Sequence, residues 1–259
     1  MLHVDPLYSL AGVLVGLLVG LTGVGGGSLM TPLLVLVFGF HPATAVGTDL
    51  LYASGTKAVG TVVHGWRGSV DWRVVRRLAT GSVPATITTL LFLNAAHRGA
   101  QDTGHLISAI LGVTLILTAI ALFFRTRIVR AAGQRFARLD GRIIAGLTIV
   151  LGAVLGVLVS LTSVGAGALG MTALLVLYPG APVARLVGSD IAHAVPLPFI
   201  AGIGHWTMGS VDPGLLVALL LGSIPGIVIG SLIATRISER VLVPILATVL
   251  AIVGLRLLS

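Results

Sequence analysis

Thr22-Gly23-Val24-Gly25-Gly26-Gly27-Ser28-Leu29 interrupts one long apolar run, and 140 residues later Thr162-Ser163-Val164-Gly165-Ala166-Gly167-Ala168-Leu169 interrupts another. Glycine at this density does not continue a helix, because it gives up the most backbone freedom on ordering. The segments that follow, 28–39 and 167–178, are too short to cross a bilayer, which takes about 20 residues. They read as short helices entered from an unwound break, forming either a re-entrant hairpin or two thin spans. In both cases the chain returns to the side it came from. Unwound backbone is tolerated at membrane depth only where it is buried or lines a cavity. The two breaks therefore mark one feature of the fold, present twice.

The match runs well beyond the breaks. Val46-Gly47-Thr48-Asp49 recurs as Val187-Gly188-Ser189-Asp190, and His64 as His205. Gly68-Ser69-Val70-Asp71 recurs as Gly209-Ser210-Val211-Asp212, and Gly81-Ser82 with Pro84 as Gly222-Ser223 with Pro225. Ten apolar segments can be read, near 7–22, 28–39, 45–63, 73–94, 104–124, 143–161, 167–178, 187–204, 214–234 and 241–258. Six or seven of them are long enough to span. Five fall in each copy, so residues 1–124 form the first repeat, 125–142 a linker and 143–259 the second repeat.

Composition agrees with a lipid solvent. Hydrophobic residues make up 56% of the 259-residue chain and charged residues 9%. A soluble domain carries about 25% charged residues to keep its surface wet. The net charge of +8 does not point to nucleic acid, because the basic residues lie between apolar runs, where topology signals lie. The absence of cysteine excludes disulfides and thiolate metal sites. These features predict an all-α polytopic membrane protein.

The arginines set its orientation. Arg125, Arg127, Arg130, Arg135, Arg138 and Arg142 fall in the linker, which the positive-inside rule places in the cytoplasm. Walking outward puts thirteen arginines inside and two, Arg98 and Arg256, outside, with both termini external. Each copy crosses the membrane an odd number of times, so the second is inserted upside down. The loop after His64 holds four arginines and its counterpart after His205 none, as inversion requires. Inverted repeats with broken helices are the usual plan of secondary transporters, with the site near the midplane between copies.

The glycine-rich break, the Val-Gly-Thr/Ser element and the doubled His-x-x-x-Gly-Ser-Val-Asp loop resemble the TauE/SafE sulfite exporters, also called toluene-sulfonate uptake permeases. The resemblance covers roughly residues 8–258. It implies an inner-membrane transporter of small anions, often sulfur oxyanions or organosulfonates. Many members carry Gly-Thr-Ser where this chain has Gly47-Thr48-Asp49 and Gly188-Ser189-Asp190.

Candidate substrate-binding residues are Gly25, Gly26, Gly27, Ser28, Thr48, Lys57, Gly165, Gly167 and Ser189. Backbone N–H groups at the start of a half-helix suit an anion, since the helix dipole favours negative charge there. No Lys-Ser/Thr follows Gly27, so the break is not a nucleotide loop. The stripes Gly12, Gly16, Gly20 and Gly222, Gly226, Gly230 read instead as close helix packing.

Ionisable residues inside spans cost about 2.5–3.5 kcal/mol each on insertion scales and mark sites. Lys57 is the one lysine of the chain, mid-segment, with Asp49 eight residues before it and His64 seven after. Asp49, Asp190, His193, His64 and His205 are candidates for coupling or for lining the site. Each aspartate could equally cap its own helix, and the two histidines before the loops could be interfacial. Asp71 and Asp212 read as caps. Lys57 has no twin, its counterpart being Pro198. Asp49 is accordingly expected to hold Lys57, and Asp190 with His193 to carry a proton. Asp190 and His193 supply too few ligands for a metal, and no cofactor is expected.

The resulting expectation is a secondary transporter of a small anion, exchanging or coupled to protons or sodium. Its partners are the substrate, the ion and the lipid bilayer, without nucleic acid; a homodimer is an open oligomeric state. An integral membrane enzyme using the same Asp, His and Lys groups for acid–base work is the alternative.

Overall fold

The computed structural model describes residues 5–22, 27–65, 70–98, 104–136, 138–233 and 239–258. Among them every regular element is an α-helix: α1 Pro6–Thr22, α2 Gly27–Leu36, α3 Pro42–Gly65, α4 Trp72–Arg98, α5 Gly104–Phe123, α6 Arg125–Phe136, α7 Gly141–Thr162, α8 Ala168–Leu177, α9 Val183–His193, α10 Pro196–Thr207, α11 Pro213–Ile233 and α12 Glu239–Leu258. Five stretches among the described residues are long and apolar enough to cross a membrane: 72–96, 104–123, 141–162, 183–207 and 213–230. Outward-facing side chains such as Leu91, Phe92, Leu221 and Ile252 are apolar and exposed, which suits lipid and not water. The chain is a multi-pass helical membrane protein.

Glycine decides which helices lie side by side. α1 lies along α11, and a Cβ on Gly16 would stand 2.6 Å from the Ser223 carbonyl oxygen. α7 lies along α4, and a Cβ on Gly156 would stand 2.6 Å from the Ser82 carbonyl oxygen. Only glycine permits backbones so close, and both stripes serve packing as expected. These two contacts occupy equivalent positions in the duplicated sequence. α5 pairs with α12, where Gly112 and Gly254 face each other's carbonyl groups. α3 and the pair α9–α10 lie among these, with α3 against α11 and α10, and α10 also against α4 and α7.

The two short helices turn back. Tyr8, at the start of α1, packs edge-on against Phe38 and Phe40 beyond the end of α2, with ring centroids 5.1 and 5.7 Å apart. Tyr178, just past α8, hydrogen-bonds Thr148 in the second turn of α7 at 2.7 Å. In both cases the short helix ends near the level where the preceding helix began. At about 1.5 Å per residue, a ten-residue helix covers about 15 Å, half the hydrocarbon thickness.

Two local differences from the sequence reading concern segments taken as uniform. The segment read as one span over 187–204 is two helices, α9 and α10, parted at Ala194-Val195. Pro196 and Pro198 explain the break, since proline lacks the N–H that a continuing helix needs; both fit the first turn of α10. The linker is not loop throughout, because α6 occupies Arg125–Phe136 and packs against α8. Asp140 then caps α7, its carboxylate accepting from the Arg142 N–H at 3.2 Å.

Candidate functional site

α3 carries the first half of the polar cluster. It begins at Pro42, so Asp49 lies two turns inside it and not at a cap. The Asp49 side chain is fully buried, and its Oδ2 accepts a hydrogen bond from the Thr31 hydroxyl of α2. Its Oδ1 has no partner. The Ser163 hydroxyl approaches Asp49 from the second break without completing a hydrogen bond. Ser163 reaches that place because it ends α7 in the left-handed conformation, at φ 58°, and Gly165 follows at φ 119°. The break of one copy thus faces the carboxylate of the other.

The second half comes from α9. Asp190 is 4% exposed and His193 1%, so neither caps the start of a helix nor meets solvent. The Asp190 Oδ1 atom lies over Gly170 of α8, 2.9 Å from where a Cβ would stand, and has no hydrogen-bond partner. His193 closes α9 at the break before α10; its Nε2 shares a 2.8 Å hydrogen bond with the Ser82 hydroxyl of α4, and its Nδ1 is unsatisfied. Ser54 of α3 donates to the Val195 carbonyl at 3.0 Å, fixing the break against α3. Thr56 of α3 and Ser223 of α11 share a 2.7 Å hydrogen bond. Tyr52, at the position matching His193, is buried with its hydroxyl unpartnered.

Lys57 joins the two halves. It is 9% exposed, and its charge is coupled to the carboxylates of Asp190 and Asp49. The same charge acts on His193. The expected partnership of Asp49 with the lysine is joined by a second carboxylate, Asp190 of α9, and Asp49 is also engaged by the Thr31 hydroxyl.

Other candidates are engaged elsewhere. Thr48 accepts from the Asp212 N–H at 3.0 Å, and at the equivalent place Ser189 accepts from the Asp71 N–H at 2.8 Å while donating to the Arg185 carbonyl. These hydroxyls tie α3 and α9 to the loops that precede α11 and α4. Asp71 and Asp212 cap those helices as expected, accepting from the N–H groups of Arg73 and Leu215. His205 is 2% exposed, donating through Nε2 to the Ser160 carbonyl at 2.9 Å while its Cβ packs on Gly47. Gly27 and Ser28 open α2, and Gly165 and Gly167 lie in the second break. Gly25 and Gly26 lie outside the described residues, as does the side chain of His64.

Among the described residues six buried polar side-chain atoms lack a partner: Asp49 Oδ1, Tyr52 Oη, Ser163 Oγ, Asp190 Oδ1 and His193 Nδ1 in the cluster, and His205 Nδ1 outside it. Such atoms each cost about 1–3 kcal/mol unless something bonds them. Among the described residues no three His, Asp or Glu side chains gather in a way that could hold a metal ion. The sequence reading missed Thr31, Tyr52, Ser82, Ser163 and Ser223. Ser82 and Ser223 were visible as a repeated pair, and Tyr52 as the twin of His193.

Comparison with known proteins adds an independent line. The family described as Sulfite exporter TauE/SafE matches residues 8–257. The probable membrane transporter protein YjnA of Bacillus subtilis (strain 168) is 41% identical over 219 residues, covering 83% of this chain and 85% of the relative. The probable membrane transporter protein YdhB of the same organism is 26% identical over 214 residues, 82% of each chain. No solved structure matches.

Proposed function

The chain belongs to the sulfite exporter TauE/SafE family, and from that premise we propose that it is a secondary transporter carrying a small anion across the inner membrane by alternating access. Sulfite, an organosulfonate or a carboxylate is the substrate class, and protons or sodium the coupling ion. The names of its relatives favour transport over the enzymatic alternative.

The observation that carries this reading is the buried cluster where the two halves of the chain meet. α3 and α2 contribute Asp49, Lys57, Tyr52 and Thr31; α9 and the second break contribute Asp190, His193 and Ser163. An inverted pair of copies, 1–124 and 143–259, makes sense of matched contacts across the molecule. Gly16 on Ser223 corresponds to Gly156 on Ser82, and Asp212 on Thr48 to Asp71 on Ser189. In this reading Lys57 supplies positive charge to the anion, helped by the N–H groups of the two breaks, including Gly27, Ser28, Gly165 and Gly167. Asp190 with His193 and Lys57 forms the coupling group. Asp49 positions α2 through Thr31. The arginine-rich linker faces the cytoplasm and both termini face outward.

Proteoliposomes holding the purified chain test the proposal with a panel of radiolabelled sulfur anions, under pH and sodium gradients imposed separately. One anion should accumulate under one of the gradients. Asp190→Asn should abolish that net movement yet keep anion exchange, whereas Asp49→Asn should weaken binding itself. Absence of movement for every anion under either gradient would refute it.

A further inference from the structure

α1, α2 and α12 line a half-open apolar cavity of about 570 Å³ that the transport reading does not use. Leu7, Leu14 and Leu18 of α1, Leu33 of α2 and Ile252 of α12 wall it, and Arg256 of α12 lies at its edge. In the second half, by contrast, α8 packs against α5, α6, α7 and α9, whereas α2 leans mainly on α3. Open space beside an apolar half-helix in a bilayer is filled by lipid or by protein.

Its dimensions favour one lipid chain. Leu7 to Leu18 is eleven helical steps along α1, or about 16 Å, which matches one leaflet of a hydrocarbon core about 30 Å thick. The Tyr8–Phe38 contact lies toward the Leu7 end of this slot, and Leu18 and Leu29 line the other end. Arg256 is exposed in the last turn of α12. In the topology proposed above, that turn lies on the same face as the start of α1, at headgroup depth. A guanidinium lining an apolar slot carries a fixed positive charge that complements a lipid phosphate. We propose that this cavity binds one acyl chain of an anionic phospholipid, with the lipid phosphate against Arg256.

The occupant would touch the candidate site at one remove. α2 forms one wall of the slot and carries Thr31, whose hydroxyl bonds Asp49. A filled slot presses α2 onto α3 and so keeps the Asp49 carboxylate in place.

Native mass spectrometry of the full chain released from nanodiscs tests this, with phosphatidylglycerol and phosphatidylcholine offered in equal amounts. The wild type should retain one phosphatidylglycerol per chain, preferred about fivefold, the scale of one arginine at a lipid surface. Arg256→Gln should erase the preference, and Leu14→Trp, which fills the slot, should remove the bound lipid. Leu117→Trp, on the exposed face of α5, controls for a general effect of a new indole and should leave binding unchanged. Equal retention by wild type and Leu14→Trp, an unchanged preference in Arg256→Gln, or a second copy of the chain in place of lipid would each overturn the proposal. Because the readout is mass, its failure is distinct from a failure to transport.

Discussion

Lys57 is the residue on which the proposed site turns, since its charge is coupled to carboxylates on two helices far apart in sequence. Lys57→Ala is expected to abolish transport in protein that still inserts, and Lys57→Arg to impair it, because a planar guanidinium does not replace a compact ammonium. Removing one partner of a buried charge pair costs about 3–5 kcal/mol. Lys57→Ala should therefore melt well below wild type, and Lys57→Ala with Asp190→Asn should recover part of the loss; thermal unfolding in detergent checks both. Full transport by the alanine variant would return Lys57 to a structural role. The charged members of the site were legible because an ionisable residue stands out in an apolar run. The neutral ones were not. Threonine inside these helices commonly bonds its own helix, as Thr114, Thr118 and Thr148 do to carbonyls four residues back, so a site threonine such as Thr31 looks the same in sequence. Which residues of α9 come near α3 depends on how the two helices pack, which no local pattern records.

At the scale of elements, glycine position is the variable that can be tested. Gly16→Val and Gly156→Val both push a side chain into a serine carbonyl on the facing helix, and each should destabilise by about 1–3 kcal/mol. The two losses should be similar, because the contacts are equivalent. Gly146→Ala, also helical but with nothing within 4 Å, should be neutral or stabilising by up to about 1 kcal/mol. Melting curves of the three variants compare them directly. Gly165→Ala should cost more than Gly146→Ala despite ample space, since a φ of 119° strains any residue with a Cβ. Helix existence, the two breaks and the packing stripes could be read from sequence, because glycine density and apolar length are local properties. The split between α9 and α10 also left a local mark in Pro196 and Pro198, but the apolar run continues across it and hides the boundary. α6 was taken for loop because it is polar; its contact with α8 is tertiary.

For the whole molecule, the account rests on two copies of one unit inserted in opposite directions around a shared polar cluster. The matched motifs are legible in the sequence, and the proposed direction of the two copies rests on the arginine distribution. The matched contacts of α1 with α11 and α7 with α4 fit such a pair. The chain has no cysteine, so single thiols can be placed on an otherwise blank background. Ser69 and Ser210 occupy equivalent positions in the repeated loop. In intact cells a membrane-impermeant maleimide should label Ser210→Cys at once and Ser69→Cys only after the membrane is permeabilised. Labelling of both from the same side would contradict the inverted architecture and, with it, the alternating-access mechanism.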